Sequence, residues 1–247
     1  METIIQILAR ELGQKEQYVE NVVKLLDDGN TVPFIARYRK EMHGTMDDQT
    51  IRQLADRLAY LRGLDERRTE VRDAIDAQGK LTDELAAAIQ EAQTLAALDD
   101  LYRPYRPKRR TRASIAREKG LEPLAAAILA TRASSPALEA LAKPYIYPEK
   151  GVETAEDALA GAGDIIAEDL SDDANLRGRL RALLHRTGVL KTVGTDEDDT
   201  IYTMYHNFSE PVRRLQSHRV LAINRGEKEG KLKVTLAADE NAAVAAV

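Results

Sequence analysis

Hydrophobic residues recur at intervals of three or four along most of this chain, which is the spacing of one buried helix face. The longest periodic run extends from Ile51 to Ile75 and follows an acidic cap at Asp47 or Asp48. A helix of roughly 30 residues spans about 45 Å at 1.5 Å per residue. Its polar side mixes Arg with Glu and Asp, which is typical of a solvated face, so the pattern predicts one long helical strut.

Two shorter amphipathic helices precede this run, and glycines end them at Gly13 and Gly29. A tight turn between two such helices predicts a helical hairpin, which is either scaffolding or a helix-turn-helix-like element. The second helix carries Glu16, Glu20 and Asp27, which phosphate groups would repel. For this pair alone, scaffolding is therefore the favoured interpretation.

Helical periodicity continues to about residue 187, and the pattern then changes. Residues 189–194 and 200–208 are typical of short extended segments, and Leu232, Val234 and Leu236 alternate with polar residues as in a strand. We predict a mainly α protein, a multi-helix array with a helix-turn-helix-like part, one long helix and a small β element near the C-terminal end. The predicted domains are residues 1–187 and a mixed α/β segment, residues 188–247.

Composition supports packed helices. Of 247 residues, 43% are hydrophobic but only 4% are aromatic, so the core must consist of aliphatic side chains. Cysteine is absent, which excludes disulfides and thiolate metal sites and is compatible with a reducing compartment. The N-terminal segment carries early charges and no long apolar run, so it predicts neither a signal peptide nor a membrane span.

Signatures of catalysis are missing from the sequence. The four histidines are scattered without paired metal-ligand spacing, and no glycine-rich phosphate loop or serine nucleophile elbow is present. The acidic residues 196–199 lack the glycine and the spacing of a calcium loop. We therefore predict a protein that is not an enzyme, with no metal site, no cofactor and no small-molecule substrate.

The most unusual segment is residues 95–113, which begin as a helix end and become rich in tyrosine and arginine. Pro104 and Pro107 bias the residues before them, Arg103 and Arg106, towards extended backbone. Only Glu118 offsets the cations between residues 103 and 119, although the net charge of the chain is −5. Cations concentrated against this trend indicate a polyanion contact. The candidate nucleic-acid-binding residues are Tyr102, Arg103, Tyr105, Arg106, Lys108, Arg109, Arg110 and Arg112.

Two hypotheses explain this tyrosine/arginine stretch, which we define as residues 102–112. In the first, the arginines neutralise phosphates while the tyrosines stack on bases or pack against the prolines. In the second, the tyrosines pack inside, and the arginines either pair with the acidic helix at residues 153–173 or dock a further domain. For this chain in isolation the second, structural hypothesis is favoured.

Three long sequence blocks together resemble the bacterial transcription accessory protein Tex family. They are VPFIARYRKE at residues 32–41, LDDLYRPYRPKRRTRASIAREKGLEPLA at 98–125 and SHRVLAINRGEKEGKLKV at 217–234. The similarity extends over essentially the whole chain. It implies the N-terminal helical region of a longer protein, without the RNase H-like, helix-hairpin-helix and C-terminal oligonucleotide-binding domains of full-length members.

The resemblance also implies a function. It predicts a non-catalytic scaffold within a cytoplasmic, transcription-associated protein that binds RNA, DNA or both. The alternative is a docking platform for transcription machinery, with no direct nucleic-acid contact in these residues. Neither hypothesis involves a membrane.

Overall fold

The computed structural model describes residues 2–107, 109–131, 137–195 and 201–247. The chain forms two compact units, Met1–Tyr102 and Arg103–Val247. The predicted mainly α fold with a small β element near the C-terminal end is confirmed. The predicted division at residue 187 falls inside the second unit and stays a prediction about domain organisation.

The first unit is entirely helical in the residues that the structure describes. Its helices are α1 (Ile4–Leu12), α2 (Glu16–Asp27), α3 (Val32–Tyr38), α4 (Lys40–His43), α5 (Asp48–Asp76), α6 (Asp83–Glu91) and α7 (Leu95–Tyr102).

Helices α1 and α2 form the predicted hairpin. Gly13 ends α1 in the left-handed conformation, with φ of 62°, and only two further residues separate it from α2. Leu8 of α1 and Val19 and Val22 of α2 are fully buried in the core of this unit. The outer surface of α2 exposes Glu16, Glu20 and Asp27, which would repel phosphate groups, and its exposed Lys24 forms an ion pair with Glu20.

The predicted strut is helix α5, whose 29 residues begin after the Asp47 cap. Its buried positions include Ile51, Leu54 and Ile75, which pack against the neighbouring helices. Part of its charged side contacts another helix, because Arg57 donates two hydrogen bonds to Glu11 of α1, at 2.7 and 2.8 Å. The Arg57 hydrogen bonds hold the pKa of Glu11 below its ordinary value.

The second unit combines helices with one sheet. The helices are α8 (Arg112–Glu118), α9 (Glu122–Leu129), α10 (Leu138–Ala142), α11 (Ala155–Asp172), α12 (Ala174–Thr187), α13 (Ser217–Lys228) and α14 (Glu240–Ala246), and the strands are β1 (Val189–Gly194), β2 (Asn207–Pro211) and β3 (Leu232–Ala237).

Helix α11 is the centre of the helical part of this unit, where α8, α9 and α10 pack against it. The shared core contains Leu121, Leu124 and Ile165, each at most 1% exposed. Gly161 lies where α11 approaches Leu121, and a Cβ atom placed there would be 2.4 Å from Leu121 Cδ1. This close approach fixes α11 against α8 and the start of α9.

The sheet has the order β2-β1-β3, and both pairings are antiparallel. Thr192 in β1 is buried and pairs with Phe208 and Val234, on the face that packs against α13. Strands β1 and β3 confirm two of the predicted extended segments. The third was wrong in part, because Thr203–Tyr205 forms a 3₁₀ turn before β2 begins.

Candidate nucleic-acid interface

The tyrosine/arginine stretch leaves α7 through a short 3₁₀ turn, Arg103–Tyr105, and enters α8 at Arg112. Thr111 caps α8, since its hydroxyl accepts a hydrogen bond from the Ser114 amide at 3.0 Å. Tyr102 belongs to the first unit, and the described remainder of the stretch belongs to the second.

Tyr102 lies half-buried at the end of α7. The guanidinium carbon of Arg67 lies 5.5 Å from the centre of the Tyr102 ring, and Arg67 also forms an ion pair with Asp99 at 3.0 Å. A cation over an aromatic face is stabilising and covers that face. One face of Tyr102 is thus already in contact with an arginine of its own unit.

Arg103 does not have the predicted extended backbone, because it begins the 3₁₀ turn. Pro104 follows it at the second position of the turn, where a missing amide donor costs no hydrogen bond. The Nε atom of Arg103 donates to Asp172 Oδ1 at 2.9 Å, and the Asp172 side chain is only 11% exposed. The turn thus places Arg103 where its side chain pairs with the last residue of α11, and the weak local bias before proline is not followed.

Arg110 and Arg112 form exposed ion pairs. Arg112 is 3.2 Å from Asp164 of α11, although its side chain is 87% exposed. Arg110 is 3.2 Å from Glu118, and both of these side chains are also largely exposed. Such pairs contribute about 0–1 kcal/mol to stability, so they could be exchanged for another anion at little cost.

Arg117 is the most strongly paired arginine of this region and was not among the predicted site residues. Its two terminal nitrogens lie 2.6 Å from Glu168 and 2.6 Å from Asp169, both on α11. The Glu168 hydrogen bond raises the pKa of Arg117. Glu168 also accepts a hydrogen bond from the Thr111 hydroxyl at 3.0 Å. Because both partners lie about 50 residues away in the sequence, only their opposite charges could have indicated this pairing.

The exposed arginines of the stretch lie between the 3₁₀ turn Arg103–Tyr105 and helix α8. Arg106 and Arg109 are exposed, whereas Tyr105 is half-buried. Arg109 forms no ion pair with the described part of the chain. Lys108, also a predicted site residue, lies outside the described residues, as do the acidic residues 196–199.

An open groove of about 710 Å³ runs between the stretch and the end of α11. Arg109, Arg110 and Arg117 line one side, and Glu168, Asp169, Asp172 and Asp173 contribute acidic groups to its lining. The groove is therefore of mixed charge. The structure brings Arg103, Arg109, Arg110 and Arg112 to one region of the second unit and neutralises several of them internally. Among the residues that the structure describes, no group of histidines and carboxylates could hold a metal ion.

Two descriptions of known protein families match this chain. The family described as "Tex-like protein N-terminal domain" matches residues 2–76, and "Tex central region-like" matches residues 133–246. The chain belongs to the Tex family. The tyrosine/arginine stretch lies between the two regions that match these Tex descriptions.

Several Tex relatives are similar along nearly all of the chain. "Protein tex" of Bordetella pertussis is 51% identical over 241 residues, which are 96% of this chain and 30% of that protein. "Transcriptional accessory protein Tex" of Neisseria gonorrhoeae is 45% identical over 236 residues, 94% of this chain and 31% of the relative. The human "S1 RNA-binding domain-containing protein 1" is 29% identical over 235 residues, 91% of this chain and 23% of the relative.

The chain spans about a third of the length of the curated bacterial Tex relatives that it matches. Among its described helices, none is both long and apolar enough to cross a membrane.

Proposed function

We propose that this chain is a non-catalytic helical scaffold in a cytoplasmic, transcription-associated Tex protein that binds RNA, DNA or both. Membership of the Tex family supports this association, as do two relatives, "Transcriptional accessory protein Tex" and "S1 RNA-binding domain-containing protein 1". The observation that carries the scaffold role is the pairing of Arg103, Arg112 and Arg117 with the acidic side chains of α11.

Within this scaffold, we propose that the predicted residues divide by their accessibility. Arg106, Arg109 and Arg110 are exposed and would contact phosphates, with Lys108 beside them in the sequence. Arg103, Tyr105 and Arg112 would chiefly support this exposed segment, and Tyr105 could stack on bases only after some rearrangement. Tyr102 would instead be engaged by Arg67 within the first unit. This division combines the two hypotheses for the stretch.

The test reverses the charge of the two exposed neighbours, in the double variant Arg109→Glu and Arg110→Glu. Loss of two phosphate contacts should weaken binding of short single-stranded RNA about twentyfold at 0.1 M salt, as measured by fluorescence anisotropy. The melting temperature should stay within about 2 °C of the wild type, since the ion pair lost among the described residues, Arg110–Glu118, is exposed.

The matched control is Arg225→Glu with Lys228→Glu. It changes the net charge equally, on the exposed side of α13 where Glu227 and Glu229 are neighbours. The control should bind RNA like the wild type. Equal binding by the Arg109/Arg110 variant and the wild type would contradict a phosphate contact here, and a melting temperature lowered by more than about 5 °C would instead indicate a structural role.

A docking platform for transcription machinery is the second candidate function. It is favoured by large apolar side chains exposed in the second unit, including Ile201 at 79%, Met204 at 75% and Leu221 at 68%. A platform of this kind would retain a protein partner after nuclease treatment, and the Arg109/Arg110 variant would not release that partner.

A further inference from the structure

Helix α12 contains no acidic residue, although it directly follows the strongly acidic α11. Its basic residues are Arg177, Arg179, Arg181, His185 and Arg186. Basic side chains in the last turn suit the negative end of the helix dipole, which accounts for His185 and Arg186. That effect falls off within one turn, so it does not explain Arg179, which lies seven residues before Arg186.

Two exposed arginines of α12 form no ion pair within the described part of the chain. Arg179 and Arg186 are both exposed, and neither forms an ion pair with any residue that the structure describes. They differ in this respect from Arg103 and Arg117, which α11 neutralises. An unneutralised cation pair on a helix face in an acidic protein indicates an external anion.

A second pair of arginines lies at the end of the same helix. The 3₁₀ turn Val212–Arg214 packs against α12, and the Val212 amide donates to the Gly188 carbonyl at 2.9 Å. Arg213 and Arg214 in this turn are exposed and also form no ion pair with the described residues. Four unpaired guanidiniums therefore belong to one packed pair of elements.

Two acidic residues lie at the start of α14, the helix that packs against α12. Helix α14 packs against α12 and begins after Asp239. The Asp239 carboxylate accepts hydrogen bonds from the amides of Asn241 and Ala242, at 3.0 and 3.2 Å. Glu240 is exposed and forms no ion pair with the four arginines. These two acidic groups therefore do not neutralise Arg179, Arg186, Arg213 or Arg214.

We infer that Arg179, Arg186, Arg213 and Arg214, which we call the α12 basic surface, bind the sugar-phosphate backbone of a nucleic acid. Arg179 and Arg186 lie about 10 Å apart along the helix axis at 1.5 Å per residue. This distance matches the rise of about three nucleotides at 3.4 Å each. Neither α12 nor the 3₁₀ turn contains Phe, Tyr or Trp, which are the usual side chains for stacking on bases, so we expect these arginines to contact mainly phosphates.

This inference rests on the proposed nucleic-acid function but concerns a different surface from the tyrosine/arginine stretch. The two surfaces can be mutated independently. A strand that contacts both would lose affinity with either variant. A variant of one surface leaves the charges of the other unchanged.

The experiment compares two charge-reversal variants of the full chain. One carries Arg179→Glu with Arg186→Glu, and the other carries Arg213→Glu with Arg214→Glu. Each should weaken binding of short RNAs of unrelated sequence about twentyfold at 0.1 M salt, because two phosphate contacts are lost. Each should also make the slope of log affinity against log salt less negative by about 1.4 on single strands.

Two controls separate charge from folding. The Arg225→Glu and Lys228→Glu variant has the same net charge and should bind like the wild type. Arg179→Gln with Arg186→Gln avoids placing an acidic group at the C-terminal end of α12, and it should also lose affinity while melting like the wild type.

Three outcomes are possible if the wild type binds RNA. Loss of affinity in both α12 surface variants, with the control unaffected, supports the inference. Wild-type affinity in both variants overturns it, even if the Arg109/Arg110 variant is defective and the proposed function therefore stands. Equal losses in the control would also overturn it, since net charge alone would then explain the effect. A wild type that binds no nucleic acid contradicts the proposed function and the inference together.

Discussion

Replacing Gly161 with valine should destabilise the second unit by about 2–3 kcal/mol, the usual cost of forcing extra volume into a packed core. A Cβ atom at this position would lie 2.4 Å from Leu121 Cδ1 and 3.4 Å from Ala116 Cβ. Leu121 is 1% exposed, so its side chain has little room to move away. Urea denaturation followed by circular dichroism would measure the loss.

Gly163 provides the matched control on the same helix. It is exposed, and a Cβ atom there would meet no other atom within 4 Å. Gly163→Val should therefore be neutral or stabilise α11 by up to about 0.5 kcal/mol, because valine favours helix over glycine. Equal destabilisation by the two substitutions would contradict the close packing of α11 against Leu121.

Replacing Arg117 with methionine should cost about 2 kcal/mol of stability. The substitution retains a long apolar side chain but removes the charge-assisted hydrogen bonds to Glu168 and Asp169, each at 2.6 Å. The Glu168 side chain is only 16% exposed, so its remaining charge would be poorly solvated. Thermal melting at neutral pH would measure the effect.

The comparison with Arg112→Met makes the Arg117 prediction specific. Arg112 also pairs with α11, but its side chain is 87% exposed, so its loss should cost less than about 0.5 kcal/mol. The double variant Arg117→Met with Glu168→Gln should lose less stability than the sum of the two single variants, since both substitutions remove the same interaction. Equal effects of Arg112→Met and Arg117→Met, or additive effects in the double variant, would contradict the network.

Local periodicity predicted the helices well because each helix buries one side. Helix α5 was predicted from its apolar spacing, and the Asp47 cap from its position before the first apolar residue. The strand β3 followed from the alternation of Leu232, Val234 and Leu236. These features depend only on residues that are near one another in the sequence.

Features that depend on distant partners were not predictable in the same way. The bias before Pro104 favours extended backbone at Arg103, but Arg103 begins a 3₁₀ turn, and its side chain pairs with Asp172, 69 residues away. Similarly, Gly161 carries no sequence signal for its contact with Leu121. The charge reversal between residues 103–119 and 149–173 indicated that pairing was possible, but not which arginines would pair.

The same limitation applies to the candidate site. Charge density alone placed all the cations between residues 102 and 112 in one class, although the structure pairs Arg103 with a buried carboxylate and leaves Arg109 exposed. It also omitted α12, where arginines alternate with apolar residues and are less conspicuous in the sequence. Exposure and ion pairing, which require the fold, separate the structural arginines from those available to a ligand.

The most direct test of the central claim, that this scaffold contacts nucleic acid through exposed arginines, is a salt series with the wild-type chain. Fluorescence anisotropy would measure its affinity for short single- and double-stranded RNA and DNA between about 50 and 200 mM salt. Four to six phosphate contacts predict a log–log slope of roughly −3 to −5. No binding at the lowest salt concentration, or an affinity that does not change with salt, would contradict the claim.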